Sequence, residues 1–196
     1  MTPLDLPVDR PRPAVREAAG EMRLVEIDPE LGARLKALAR QCDATLFMVL
    51  VAVVQLLLAR YCGQRDITLG TATSGRNRTE LESLVGFFVN TVVLRSTVDE
   101  TESFERLVGR ARDTVLEAFA HEDVPFERLV ELAAPDRDPS RNALVEVMVG
   151  LETSRSGGPD LPGLDVEELP VVSDAVSHDL TFDFVEREGQ LLAAIG

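Results

Sequence analysis

Cysteine and histidine are scarce in this 196-residue sequence, which limits the chemistry that it can support. Its two cysteines, Cys42 and Cys62, have a spacing that fits neither a metal site nor a disulfide framework, so we expect two reduced thiols. Its two histidines, His121 and His178, belong to no His-Glu-x-x-His zinc pattern, and no serine or cysteine lies in a nucleophile elbow. The residues alone indicate no catalytic constellation and no metal site.

The sequence also lacks an excess of positive charge and a long apolar run. Its net charge is −14, and residues 101–196 carry 8 basic against 21 acidic side chains, which disfavours nucleic acid and anionic membranes as partners. The longest apolar run, residues 46–59, is shorter than the roughly 20 residues that cross a bilayer. The N-terminus lacks the basic-then-apolar pattern of a signal peptide. We therefore expect a cytoplasmic protein.

Periodicity and turn residues predict one α/β (α+β) domain preceded by an extended segment. Residues 1–20 contain four prolines, which indicate an extended N-terminal segment, and residues 21–196 form the domain. The predicted helices cover residues 29–42, 46–62, 104–120 and 124–131. The predicted strands cover residues 21–27, 67–73, 85–95, 143–151, 164–172, 178–185 and 190–195, with a loop at 153–163.

Capping residues support three of the predicted helices. Asp28 followed by Pro29 is typical of a helix start, and Thr45 can cap the second helix. Asp123 can cap the last one, with Pro125 in its first turn. The residues of the first helix that we expect to face the core are Leu31, Leu35, Leu38 and Cys42.

Residues 70–77 (Gly-Thr-Ala-Thr-Ser-Gly-Arg-Asn) approach the pattern of a phosphate-binding loop but lack its functional side chains. Arg76 replaces the lysine that contacts phosphate, and Asn77 replaces the hydroxyl residue that binds the metal ion. We therefore predict no nucleotide site here, but a sharp turn after a strand.

Residues 85–95 form an aromatic and β-branched run that predicts a strand buried on both faces. Only Asn90 and Thr91 interrupt it before Arg95, and a buried asparagine amide needs hydrogen-bond partners. Two interpretations stay open at this point. Asn90 is either a satisfied amide in the core or a side chain directed into a polar tunnel.

Three ordered segments resemble the motifs of the condensation domain of nonribosomal peptide synthetases. Residues 86–91 resemble its signature strand, residues 121–127 its His-Gln-Asp-x-Pro-Phe-Glu motif, and residues 137–144 its Arg-Asp-x-Ser-Arg-Asn-Pro-Leu motif. The departures are Glu122 in place of glutamine and Ala143 in place of proline. The motif residues are Gly86, Phe87, Phe88, Val89, Asn90, Thr91, His121, Asp123, Pro125, Phe126, Arg137, Asp138, Ser140, Arg141 and Asn142.

The resemblance implies one lobe of a chloramphenicol-acetyltransferase-like fold, with a mixed β-sheet flanked by helices. The matching motifs belong to the second, C-terminal lobe of the family, and the sequence contains no His-His-x-x-x-Asp-Gly motif, which the family carries on its first lobe. We therefore expect a lobe that ends before the last elements of the family and forms no amide bond alone. The alternative is a non-catalytic scaffold or docking lobe of a synthetase.

The resemblance also implies partners and site residues. The partners would be the N-terminal lobe, peptidyl carrier proteins and an adjacent adenylation domain. No cofactor would bind directly, because the substrates are carried on phosphopantetheine arms of the carrier proteins. Arg76, Asn90 and Thr91 are the candidates for the tunnel or the lobe interface. We expect Arg76 to be exposed and to pair with the aspartate of the histidine motif, because a guanidinium can hold a carboxylate through two parallel hydrogen bonds.

Overall fold

The structure is a computed structural model that describes residues 2–133, 138–153, 163–164, 166, 175–187 and 189–196. The helices in these ranges are α1 (Pro29–Gln41), α2 (Leu46–Cys62), α3 (Thr79–Glu82), α4 (Phe104–Phe119) and α5 (Phe126–Ala133). The strands are β1 (Arg23–Ile27), β2 (Asp66–Thr73), β3 (Asn90–Thr97), β4 (Val147–Thr153), β5 (Leu180–Arg187) and β6 (Gln190–Ile195).

The six strands form one mixed sheet in the order β1-β6-β5-β4-β2-β3. Strand β4 runs parallel to both of its neighbours, and the other three pairs are antiparallel. The pair β2–β4 is joined at a single position, Gly70 opposite Met148, whereas β4 and β5 pair over seven positions. The two halves of the sheet therefore meet at one point.

One layer of helices covers one face of this sheet. Alternate strand residues that pair in register, such as Leu69 with Leu94 and Val149 with Phe182, share a single core cluster with the buried residues of α2 and α4. Helix α2 is buried over most of its central part, between Met48 and Ala59, in keeping with its apolar composition. Thr45 caps its start, and Gly63 ends it in the left-handed conformation, where glycine is unstrained.

The signature run is only partly a strand, which corrects the prediction for residues 85–95. Strand β3 begins at Asn90, lies at the edge of the sheet and is buried on alternate residues only. Its partner β2 ends at Thr73, and Gly75 then turns the chain away with φ +61°, so residues before Asn90 have no strand to pair with. Phe87 is consequently 89% exposed.

One exposed residue and two element boundaries also differ from the predictions. Leu31 is exposed, because α1 faces the sheet through Gly32, where a Cβ would lie 3.9 Å from Leu191. Helix α5 begins at Phe126, three residues after the predicted cap Asp123. Strand β4 begins at Val147 rather than Ala143. Most of the predicted loop 153–163 and of the predicted strand 164–172 lies outside the described residues.

The remaining elements agree with the sequence patterns, with ends shifted by a few residues at most. They are β1, β2, β5, β6, α1, α2 and α4. Within the described ranges, no single helix is long and apolar enough to cross a membrane; α1 and α2 reach that length and composition only as a pair bent by 105°.

Candidate functional site

Asn90 joins the first two motifs through hydrogen bonds to backbone groups. Its Nδ2 donates to the carbonyl oxygens of Glu122 at 2.8 Å and Val124 at 2.7 Å, and its Oδ1 accepts from the Phe126 amide at 3.1 Å. That amide is one of the first in α5, which have no partner inside the helix. Asn90 is half-buried, and its amide group is fully engaged. The polar partners of Asn90 are thus backbone groups of residues 122–126, and its place on a tunnel wall stays a prediction.

Glu122 adds a second connection between the same loop and the sheet. Its Oε2 accepts from the Thr73 hydroxyl at 2.5 Å, and the Thr73 hydroxyl accepts from the Gly75 amide at 3.1 Å. The bond fixes the end of β2 to the loop between α4 and α5. Because only an acceptor oxygen is needed, the family's glutamine and the glutamate of this chain can both make the contact with Thr73.

Arg76 organises the loop that runs from β2 to β3. Its guanidinium donates to the carbonyl oxygens of Leu81 and, at 3.4 Å, Gly86, and lies 4.5 Å from the ring centroid of Phe88. The side chain is half-buried rather than exposed as expected, because it crosses its own loop. None of the ion pairs within the described ranges includes it. Gly75 lets the backbone of Phe88 lie close against the start of this loop, since a Cβ at residue 75 would lie 1.9 Å from the Phe88 carbonyl oxygen.

The other residues of the first motif are not gathered at one point. Thr91 lies opposite Ala72 in the ladder and therefore points to the sheet face opposite that of Asn90. Gly86, Phe87 and Val89 are exposed in the loop before β3.

The third motif forms a separate polar cluster that holds the N-terminal segment. Arg141 pairs with the carboxylate of Glu146 and donates to the Leu4 carbonyl at 3.3 Å. Glu146, only 6% exposed, accepts from the Leu4 amide at 2.7 Å. Ser140 donates to Asp138 from its hydroxyl and its amide, and these bonds hold the pKa of Asp138 below its usual value.

The same cluster reaches the start of β5. Arg12 pairs with both carboxylate oxygens of Asp179 and donates to the Ser140 carbonyl at 3.0 Å, while Asn142 donates to the Ser177 carbonyl at 2.8 Å. These contacts give the third motif a structural role. Arg137, the remaining residue of that motif, lies outside the described residues.

Neither histidine lies in an acid–base arrangement in the described structure. His121 is in the loop between α4 and α5, where its amide donates to the Ala118 carbonyl at 3.2 Å. His178 lies 2.9 Å from the Ser177 hydroxyl, and burial, followed by the charge of Arg16, lowers its pKa. The Asp179 carboxylate is held by Arg12 rather than by His178. Among the described residues, no group of side chains is placed to hold a metal ion.

A cleft opens where β2 and β4 separate beyond their single bridge. It has a volume of about 470 Å³ and is lined by the ends of β2, β4 and β5, by Phe47 and Phe119, and by Glu122. Glu152 and Asp183 add two more carboxylates. The residue Asp183 is exposed overall, but burial around its carboxyl group, together with the charge of Glu152, raises its pKa.

The sequence did not reveal this cleft. The pairing that brings Gly150 and Glu152 beside Asp183 joins two strands that are separated by a long connection, and no local pattern predicts such a pairing.

Comparisons with known proteins agree with this architecture. The sequence model of the condensation domain matches residues 1–195, and this chain belongs to the condensation-domain family. It is 40% identical to tyrocidine synthase 2 of Brevibacillus parabrevis over 97% of its length, and 39% identical to surfactin synthase subunit 1 of Bacillus subtilis (strain 168) over 94%. The chain spans only 5% of the length of each of those two proteins.

Solved structures show the same fold. The X-domain from teicoplanin biosynthesis has a TM-score of 0.86 and 29% identity over 98% of this chain and 44% of that one. A four-domain nonribosomal peptide synthetase, AB3403, gives a TM-score of 0.85 and 25% identity over 98% of this chain and 16% of that one. The mixed sheet flanked by helices is thus a lobe of the chloramphenicol-acetyltransferase-like fold.

Proposed function

We propose that this chain is the second lobe of a condensation domain in a nonribosomal peptide synthetase. In the reaction, the amine of a carrier-bound acceptor attacks the thioester carbonyl of a carrier-bound donor. The new C–N bond forms as the C–S bond breaks, and the thiol of the donor phosphopantetheine arm is released. The observation that carries the proposal is that the second-lobe motifs occur in order and that two of them are joined by Asn90.

Arg76 is our candidate for the contact with the first lobe. Its guanidinium is held by carbonyl oxygens and an aromatic ring, and it has no carboxylate partner in the described part of the chain. The aspartate of the His-His-x-x-x-Asp-Gly motif on the first lobe could therefore pair with Arg76 without displacing another carboxylate. Breaking a buried pair of this kind costs roughly 3–5 kcal/mol, because the remaining charge is left without a partner.

Reconstitution tests the proposal. The chain would be coexpressed with a first lobe that carries the His-His-x-x-x-Asp-Gly motif, and carrier-bound donor and acceptor would be supplied. Intact-protein mass spectrometry detects the amide product on the carrier protein, and we expect this product only when both lobes are present. In Arg76→Ala, we expect lobe association and product formation to be lost together. Product formed by this chain alone, or an Arg76→Ala domain with unchanged association and activity, would contradict the respective assignment.

A docking role is the second candidate. A related X-domain, with a TM-score of 0.85, has been solved in complex with OxyB from teicoplanin biosynthesis, so a domain with this fold binds another protein. Stable pairing of both lobes without any amide product, combined with binding of a partner enzyme of the same pathway, would favour this role.

A further inference from the structure

The cleft between β2 and β4 has an open interior beside two carboxylates. The cleft ends at the bridge between Gly70 and Met148. The two strands are close together there, since a Cβ at Gly70 would lie 2.5 Å from the Met148 sulfur. Above the bridge, Gly150 lies opposite Asp183, and a Cβ at this position would come within 3.0 Å of Asp183 Oδ1. The glycine therefore leaves room next to the carboxylate.

All the charged side chains among the described residues that line the cleft are acidic. Glu122 already accepts from Thr73, whereas Glu152 and Asp183 take part in no ion pair within the described ranges. No basic side chain is among the described residues that line the cleft. Two neighbouring carboxylates without a counter-charge repel each other, and a cationic ligand would remove this repulsion.

The walls suit an organic cation. Phe47 and Phe119 meet edge to face, with ring centroids 6.4 Å apart, and Phe184 lines the same space. Aromatic faces attract ammonium and guanidinium groups. Thr71 also lines the cleft; it is 2% exposed, and none of the hydrogen bonds among the described residues includes its hydroxyl. Its hydroxyl oxygen is an acceptor that a ligand N–H could use.

We infer that this cleft binds the cationic side chain, ammonium or guanidinium, of one carrier-bound amino-acid substrate. The inference rests on the proposed function, because it concerns a substrate of the same domain. Asp183 and Glu152 hold the charge, the phenylalanines contact the methylene groups and the cation, and Thr71 accepts one hydrogen bond.

Titration of the full chain with two matched probes tests the inference. Nα-acetyl-L-ornithine methylamide carries the side-chain ammonium, and Nα-acetyl-L-norvaline methylamide is its neutral counterpart. We expect saturable binding of the first probe only, with NMR shifts at the amides of Thr71 and Gly150. Asp183→Asn and Glu152→Gln should each weaken binding at least tenfold, and Thr71→Val should weaken it severalfold. Glu100→Gln, which removes the same charge from an exposed loop, should leave it unchanged.

Each other outcome overturns the inference. Equal binding of the neutral probe would mean an apolar pocket only, and equal weakening by Glu100→Gln would mean non-specific attraction. Absence of saturable binding would also overturn it. The assay needs neither the first lobe nor carrier proteins, so its result is independent of the reconstitution. Binding without amide formation would refute the proposed function alone, and amide formation without binding would refute the cleft alone.

Discussion

At the scale of single residues, Asn90 shows why a polar side chain interrupts an apolar run. Its three hydrogen bonds fix the loop that leads into α5. We expect Asn90→Ala to lower the free energy of unfolding by about 1–3 kcal/mol, because two carbonyl groups and one amide lose their partner. Urea denaturation measures this change, and hydrogen exchange at residues 122–126 should rise with it.

Asn77→Ala is the matched control for this substitution. Asn77 is exposed in a neighbouring loop, so the same truncation should change stability by no more than about 0.5 kcal/mol. Equal effects of the two substitutions would contradict the role given to Asn90.

Asp183 is a residue whose charge opposes folding. Its pKa is raised in the folded state by burial and by Glu152, so the folded protein holds its proton at a higher pH than the unfolded chain does. Stability is therefore lost as pH rises from the ordinary aspartate value through the raised pKa, and the loss persists at neutral pH.

We accordingly expect Asp183→Asn to leave the Tm at pH 7 unchanged or to raise it, and the advantage over the parent chain to shrink as pH falls through that window. In Glu152→Gln, an NMR titration should show a lower pKa for Asp183. A clear loss of stability in Asp183→Asn at pH 7 would mean that the carboxylate has a stabilising partner.

At the scale of secondary-structure elements, local signals predicted the helices well and the sheet less completely. Asp28, Thr45 and Gly63 define helix ends by local chemistry, and α4 has a clear apolar face. The composition of residues 85–95 favoured a long strand, but the length of β3 depends on where β2 ends. Composition does not contain that information, so the exposure of Phe87 could not be predicted.

The same limit applies to the candidate site. The motifs identified Asn90 and the loop at residues 121–127, because each motif is a continuous stretch of sequence and the motifs follow one another in the order of the family. The contacts of Arg76 with its own loop, and the pairing of β4 with β5 that forms the cleft, depend on tertiary structure. The hydrophobic periodicity of a sequence predicts helices and strands, but it does not predict contacts between residues that are distant in the sequence.

The turn between β2 and β3 requires glycine at residue 75. Its φ of +61° and the 1.9 Å approach of a Cβ to Phe88 would both strain an alanine. We expect Gly75→Ala to cost roughly 1–3 kcal/mol and to increase hydrogen exchange across residues 76–89. Gly109→Ala in α4 is the control; nothing lies within 4 Å of its Cβ position, so it should stabilise the chain by about 0.5–1 kcal/mol. Similar changes in both variants would argue against a strained turn.

At the scale of the whole molecule, the third motif holds the N-terminal segment to the sheet. Glu146 is buried, and Arg141 supplies its counter-charge. We expect Arg141→Ala to cost about 3 kcal/mol, because the carboxylate is left buried without its partner, and Arg141→Met with Glu146→Leu to recover part of the loss.

Arg128→Ala serves as the comparison for that pair. Arg128 pairs with Glu131 on the exposed surface of α5, and its loss should cost less than about 1 kcal/mol. Chemical denaturation of the four proteins gives these values. A cost for Arg141→Ala as small as that for Arg128→Ala would show that the cluster does not anchor the segment.

The central claim is that this chain is one of two lobes, and hydrogen exchange of the chain with and without the first lobe tests it most directly. The loop before β3 exposes three apolar side chains, those of Val85, Phe87 and Val89, and we expect the first lobe to cover them. Binding of a first lobe with the histidine motif should slow exchange at residues 76–89 and leave the exposed side of α1 unchanged. Unchanged exchange at residues 76–89 in a mixture of the two lobes, or protection confined to α1, would contradict the account.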